Sequence, residues 1–342
     1  MITKKRIALL LAMILLLGAL AGCSSAPVET ESKFPERDLQ GTIMWSAGGI
    51  NDSVSRAIGP YVKEHLGKTI IFTNRPGAAG GIATAYVNDQ PADGYNLLFG
   101  AENPQIAKVM GTSELDYSDF IPINIFCSSV GVLIVKDDSQ YETLEDLVND
   151  MLARPNQVKK ATTGPGGLPQ TVATMMKAVN GVEPQMTVFD GEAGATAAVM
   201  GGHVDYLITT VGSAIEFIRA GKVRALTVFH DEVIEGLEGI PLIVDIYPEY
   251  KKFMPWGPFY GVFVKKGTPQ EVVDILTDAF EKAVKHPEYQ KILVNYGTVP
   301  MGISSDEARE YVDKYRSVTS WLLYDAGGTE HSPEEFGIER IE

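Results

Sequence analysis

Short apolar runs alternate with amphipathic stretches along most of this chain, and glycine or proline marks nearly every change of period. Thr42 to Trp45 reads as a strand and Gly48-Gly49 as a turn. Val54, Ile58, Tyr61, Val62 and Leu66 then recur at helical spacing until Gly67, which predicts a helix from about Asp52 to Leu66. Strands are expected at Lys68 to Thr73 and Tyr95 to Gly100. Between them the Pro-Gly-rich turn Arg75 to Gly81 leads into a helix from Ile82 to Asp89, and another helix is expected to begin at Gln105 to Met110. The middle of the chain repeats the alternation. Strands are read at 130–135, 159–163, 187–189, 206–209 and 223–228, and helices at 169–179, 191–200 and 213–220. Thr143 with Asp146 caps a helix through Ala153. Val262 to Val264 reads as a strand. Thr268-Pro269-Gln270-Glu271 reads as a helix start with Thr as N-cap, and Ser304 with Glu307 is expected to cap a last helix running to Tyr324.

This alternation predicts an α/β protein. The block from about 130 to 255 repeats the first, so two lobes are expected: 39–128 with 257–342 as lobe 1, and 129–256 as lobe 2. A cleft between such lobes is a natural ligand site.

The N-terminus adds location. Lys4, Lys5 and Arg6 precede the apolar run Ile7 to Leu17, which is too short to span a bilayer comfortably. Leu20-Ala21-Gly22-Cys23 then matches a bacterial lipobox. Residues 1–22 are expected to be a signal peptide, Cys23 the lipidated first residue, and 23–38 a polar tether. The folded part is therefore expected outside the cytoplasm, held at a bacterial membrane, either periplasmic or on the outer face of the cytoplasmic membrane. Removing 1–22 takes three basic residues and no acidic one. That leaves 26 basic residues against 44 acidic, a net charge of −18 where the whole chain has −15. Such a chain repels nucleic acid, and no nucleic-acid partner is expected. Beyond Cys23 only Cys127 remains, so no internal disulfide is expected. Cys127 lies in the apolar run Ile121 to Val135 and reads as a small buried hydrophobe rather than a reactive thiol.

Three strand–glycine–helix starts carry candidate chemistry. Trp45-Ser46-Ala47-Gly48-Gly49-Ile50-Asn51-Asp52 is the first, Thr163-Gly164-Pro165-Gly166-Gly167 the second, and Phe189-Asp190-Gly191-Glu192 the third. Glycine lets the backbone approach a ligand, and a helix start offers unpaired N–H groups with partial positive charge, which suits a carboxylate or phosphate. Each is also an ordinary βα turn in its own right; three of them in two lobes point to one anion held across a cleft. Asn51 or Asp52 is a candidate cap for the first helix, and Asp52 is alternatively a partner for a ligand ammonium or hydroxyl.

Longer stretches carry a resemblance. Asn74-Arg75-Pro76-Gly77-Ala78-Ala79-Gly80-Gly81 is followed by Pro91-Ala92-Asp93-Gly94-Tyr95-Asn96-Leu97-Leu98, then by Asp116-Tyr117-Ser118-Asp119-Phe120. Gly201-Gly202-His203-Val204-Asp205, Ala220-Gly221-Lys222-Val223-Arg224-Ala225-Leu226 and Phe259-Tyr260-Gly261-Val262-Phe263 before Gly267-Thr268-Pro269 keep the same order and spacing. From about Leu39 to Gly327 the chain resembles the Bug-type substrate-binding receptors of tripartite tricarboxylate transporters. The resemblance implies a two-lobed periplasmic-binding-protein fold (type II, Venus flytrap), each lobe a mixed sheet flanked by helices, closing on a small carboxylate. It implies cleft positions for Trp45, Ser46, Ala47, Gly48, Asn51 and Asp52, and a carboxylate grip by Thr163, Gly164, Gly166, Gly167, Phe189, Asp190 and Gly191 through N–H groups, hydroxyls and water. Two departures bear on the ligand: Gly167 stands where the family often has Ser, and Trp45 and Asn51 stand where Phe and Thr are common. The Arg-Pro-Gly turn at Arg75 reads as structural. Glu102 and Asn103 end the third strand and are expected to face the cleft, where an acid favours a ligand bearing an amine or hydroxyl over a pure polyanion.

Enzyme chemistry finds little support. The five histidines, at 65, 203, 230, 286 and 331, lack metal-ligand spacing, and no His-Glu-x-x-His, Gly-x-Ser-x-Gly or phosphate-loop motif occurs. No metal and no cofactor is expected. The expected partners are a small carboxylate, the large and small membrane subunits of a transporter, and the membrane through the lipid, with the receptor itself a monomer. The alternative partner is a membrane sensor kinase. Tricarboxylates, C4 dicarboxylates, aromatic acids and acidic amino acids all remain open as ligands.

Overall fold

The structure is a computed structural model that describes residues 34–341 apart from Glu235 and Pro255. The expected signal peptide, the lipidation site Cys23 and the tether up to residue 33 lie outside the described residues. Residues 34–38, read as the end of that tether, are docked. Phe34 packs edge-on against Tyr95 at 4.9 Å, the Arg37 guanidinium lies 3.9 Å from the same ring, and Asp38 accepts a 2.9 Å hydrogen bond from Thr69 N–H.

Two mixed sheets share one plan. The first contains β1 (Leu39–Ile43), β2 (Ile70–Asn74), β3 (Asn96–Gly100), β4 (Phe120–Ser129), β10 (Phe259–Lys265) and β11 (Thr298–Ser304), in the order β11-β4-β10-β3-β1-β2. The second contains β5 (Gly131–Lys136), β6 (Lys159–Thr162), β7 (Gln185–Val188), β8 (Tyr206–Thr210) and β9 (Val223–Phe229), in the order β7-β6-β8-β5-β9. β1 pairs in parallel with both β2 and β3, and β6 pairs in parallel with both β7 and β8; the remaining pairings are antiparallel. Each sheet thus has a parallel trio with its earliest strand in the middle. The chain leaves that strand to one side and returns later on the other, which opens a crevice at the strand's carboxyl end.

Helices cover both sheets: α1 (Ile50–Leu66) and α2 (Gly81–Asn88) on the first, then α3 (Leu144–Ala153), α4 (Leu168–Asn180), α5 (Glu192–Met200) and α6 (Val211–Arg219) on the second. The short α7 (Ile243–Ile246) follows, then α8 (Gln270–Val284), α9 (Pro287–Asn295) and α10 (Ser305–Asp325). α1 buries Val54, Ile58, Val62 and Leu66 as its spacing predicts and packs on α8. Gly67 ends it in the left-handed conformation (φ 68°) that glycine adopts without strain. The capping box at Thr143 and Asp146 forms as expected.

Four expectations need correction. No strand was expected between Gly100 and Val130, yet residues 120–129 form β4 of the first sheet, and the strand read at 130–135 is β5 of the second. The helix expected from Gln105 reduces to a 3₁₀ turn at Asn103–Ile106. Thr268 does not cap α8: its hydroxyl donates to the Lys265 carbonyl, and Pro269 is the N-cap. The Ser304 hydroxyl accepts a 2.7 Å hydrogen bond from Asn124 instead of capping α10. The unforeseen β11 holds Pro300 and Gly302, which erase strand alternation and are tolerated because β11 is an edge. Cys127 is fully buried and free, and burial pushes its thiol up to about 12, so it behaves as an inert core residue.

Candidate functional site

The carboxyl ends of the two parallel trios meet across one cavity. Counting its open mouth, the space between atoms there is about 500 Å³. The first lobe contributes the loop after β1 (Trp45, Ser46, Gly49, Ile50, Asn51), Glu102 after β3, and Pro258 and Tyr260 at β10. The second contributes Thr163, Leu168 and Pro169 around the start of α4, and Gly191, Glu192 and Ala193 at the start of α5. Three helix starts, at α1, α4 and α5, therefore border the same space.

The loops before α1 and α4 are near copies. Gly48 (φ 86°) precedes the N-cap Gly49 (φ −80°, ψ 171°), and Gly166 (φ 76°) precedes the N-cap Gly167 (φ −80°, ψ 168°). Neither N-cap has a side chain to satisfy the first helical N–H groups. Acids brace the two loops in different places: at α1 the acid takes the N–H before the N-cap, and at α4 that of the first helical residue. Asp52 Oδ2 accepts from Gly48 N–H at 3.0 Å, and its Oδ1 accepts from Arg56 at 2.7 Å and Asn74 at 2.9 Å. Burial works against the Asp52 charge, but these donors outweigh it and hold the carboxyl below the usual range. At α4 the acid comes from the other lobe: Glu102 Oε1 accepts from Leu168 N–H at 3.1 Å.

Two more hydrogen bonds cross between lobes: Asn103 Nδ2 to the Pro165 carbonyl at 3.2 Å and Ser46 Oγ to the Asp190 carbonyl at 3.4 Å. The lobes are thus in contact around the cavity.

Glu102 is 5% exposed. Burial, reinforced by the nearby Glu192 charge, pushes its carboxyl up to about 8, against the opposing pull of its own N–H and that of Leu168. Glu192 accepts from Thr210 N–H at 3.0 Å, from the Thr210 hydroxyl at 2.7 Å and from the Ser213 hydroxyl, so it ties α5 to the start of α6 while facing the cavity. Tyr260 is 3% exposed and its phenol is pushed well up by burial, then by Glu192 and Glu102.

Of the positions singled out in sequence, Trp45, Ser46, Asn51, Glu102, Thr163 and Gly191 line this cavity. Gly164, Phe189 and Asp190 line an adjoining opening of about 760 Å³, shared with Trp45 and Thr163. Asn103 lines a third, smaller hollow against Pro165. Ala47, Gly48, Asp52, Gly166 and Gly167 line none of the three. Asp52 is spent on the turn, and Asn51 on the Phe99 carbonyl and Ser55 hydroxyl. Gly167 explains its own departure from Ser: a Cβ there would lie 3.0 Å from both Asn103 Nδ2 and Thr163 Oγ1. Arg75 stacks on Tyr86 at 3.6 Å, in line with a structural turn. Sequence reasoning missed Gly49, Ile50, Leu168, Pro169, Glu192, Ala193, Pro258 and Tyr260 as site residues. The first six sit at the helix starts it had located; Tyr260 and Pro258 arrive only through the pairing of β10 with β3 and β4.

Two mixed α/β sheets with crossing loops around a shared cavity define a two-lobed periplasmic-binding-protein fold. The solved periplasmic binding protein BugD shares it at a TM-score of 0.81 and 24% identity, covering 86% of this chain and 99% of that one. MatC of Rhodopseudomonas palustris with bound malate shares it at 0.78 and 22% identity, covering 85% and 100%. The profile of the tripartite tricarboxylate transporter family receptor matches residues 54–320, and the chain belongs to that family. Protein BugT of Bordetella pertussis (strain Tohama I) is 25% identical over 308 residues, 89% of this chain and 93% of BugT.

Proposed function

We propose that this protein is an extracytoplasmic, lipid-anchored receptor that closes two lobes on a small carboxylate and delivers it to the membrane subunits of a tripartite tricarboxylate-type transporter. Residues 39–128 with 257–342 move as one body and 129–256 as the other. The observation that carries the reading is the convergence of three helix starts from both lobes on one cavity. Membership of the receptor family and the malate bound by MatC support it. Because Glu102 already occupies the first N–H of α4, the ligand carboxylate is assigned to the starts of α1 and α5, at Ile50, Asn51 and Ala193, rather than to Gly164–Gly167. The lipid at Cys23 and the transporter partner rest on the lipobox and on the family.

Thermal-shift screening of the full chain in detergent against a carboxylate panel tests the reading. A true ligand at 100 times its Kd stabilises the fold by about 2.7 kcal/mol. A panel of mono-, di- and tricarboxylates and amino acids with no stabilising member would refute it. Cys23→Ser separately tests the anchor, since a variant labelled by a lipid probe as fully as the parent rules the anchor out.

A further inference from the structure

We propose that the ligand carries a cationic nitrogen beside its carboxylate, and that Glu102 and Glu192 select it. This rests on the receptor reading above and narrows its ligand class.

Among the described residues, the cavity wall holds two carboxyl side chains and no lysine, arginine or histidine. Glu102 is almost fully buried, its hydrogen-bond partners are main-chain N–H groups, and no cation among the described residues balances it. The titratable groups that feel its charge, or whose charge it feels, are Glu192, Tyr117, Tyr260, Tyr311 and Tyr315, all of them acids. A ligand bearing only carboxylates meets the charge of Glu192 in a low-dielectric space, where repulsion is weakly screened, and brings no cation to balance an ionised Glu102. A zwitterion meets it differently. Its carboxylate reaches the N–H groups at the starts of α1 and α5, and its cationic end reaches the two carboxyls and the ring of Trp45. Cavity and ligand then complement each other charge for charge, which is how a site rejects close analogues as well as accepting its own ligand.

Binding of that kind also moves a proton. With its carboxyl near 8, Glu102 is mostly protonated at pH 7 in the structure seen here. A cation placed against it favours the ionised form, so the proton leaves to solvent as the ligand enters.

The experiment is calorimetry on the full chain in detergent at pH 7, with alanine, serine, aspartate and γ-aminobutyrate, each paired with its hydroxy and unsubstituted counterparts. The runs are repeated in buffers of different ionisation enthalpy. The expected result is at least a tenfold preference for one amino acid over both counterparts, with close to one proton released per ligand. Glu102→Gln should weaken that amino acid about tenfold or more, abolish the proton release and leave the counterparts unchanged or tighter. Glu102 is the residue to change because Glu192 also holds the start of α6, and circular dichroism on the variant confirms folding. Tighter binding of an unsubstituted or hydroxy acid overturns the inference and leaves the receptor reading standing. Proton release that survives Glu102→Gln overturns the role of Glu102. A panel in which nothing binds overturns the receptor reading, and this inference with it.

Discussion

The helix starts of α1 and α4 have the same backbone and opposite dependence on the rest of the molecule. Both begin with a left-handed glycine followed by an extended glycine N-cap. Asp52 fastens the Gly48 N–H of the first loop from four residues away, and Glu102 takes the first helical N–H of the second, that of Leu168, from 66 residues away and from the other lobe. The first loop is therefore held by local chemistry whether the lobes meet or part. The second is finished only when they meet. On the closure proposed above, one loop type would serve as fixed scaffold in one lobe and as sensor of closure in the other.

The buried charges offer the largest test of this contrast. Lys160 lies wholly inside the second lobe, donates to the Pro169 carbonyl, and is pushed down by burial to about 7. A lysine with a lowered pKa penalises folding below pH 7, and the penalty fades as pH rises from 7 towards 10.5. Glu102 has the opposite sign: its raised pKa means stability falls as pH rises from about 4.5 to about 8. Each shift corresponds to at most about 5 kcal/mol at 1.36 kcal/mol per pH unit. Lys160→Met should recover most of its share in melts near pH 6, because nothing short of unfolding the lobe hydrates Lys160. Glu102→Gln should recover less at pH 9, because opening the lobes hydrates Glu102 first. Equal gains from both would erase the distinction between scaffold and sensor.

Glycine substitution comes next. A Cβ on Gly166 would lie 2.7 Å from Ile106 Cδ1 in the opposite lobe, whereas one on Gly48 meets nothing within 4 Å. Both changes carry left-handed strain of about 1–2 kcal/mol. Only Gly166→Ala should also obstruct closure, lowering ligand affinity about tenfold, a difference of 1.4 kcal/mol. Calorimetry on the pair decides it, and an equal affinity loss in Gly48→Ala would show that the contact with Ile106 does not set the two loops apart. Asp52→Asn is smaller: about 1 kcal/mol of stability, as for loss of a helix cap, with affinity preserved. The carboxyl of Asp52 is held low, so its contribution is present above pH 4 and is lost as pH falls below that. A large loss of affinity in this variant would return Asp52 to the ligand. The smallest expected effect is that of salt. With a net charge of −15 and binding assigned to helix N–H groups, affinity should change less than about twofold across a tenfold range of ionic strength. A steep dependence would mean that surface charge, not either helix start, recruits the ligand.

Much of the architecture was legible because its signals are local. Glycine stops, the Thr143 capping box and the stripe Val54-Ile58-Val62-Leu66 each fix an element within one or two turns. β4 was not legible, since a strand buried on both faces shows no alternation and merges with the apolar run that follows it. At the site, the three glycine turns stood out, but what each acid does there depended on distance along the chain. Asp52 looked like a ligand group because its turn partner, Gly48, is a backbone donor that no motif announces. Glu102 was expected in the cleft as an acid, and nothing near it foretold Leu168 as its partner. Glu192 was read only as the last residue of a turn, because Thr210 and Ser213 lie some twenty residues further on.

The docked segment at Phe34 sets how the molecule carries load. Tyr95, which receives Phe34, Arg37 and the Glu36 N–H, immediately precedes β3, at the end of that strand away from Glu102. Asp38 fastens the same end of the sheet through Thr69, just before β2. A pull applied at Phe34 would enter at the starts of three neighbouring strands of one sheet, at the end opposite the hydrogen bonds that join Glu102, Asn103 and Ser46 to the other lobe.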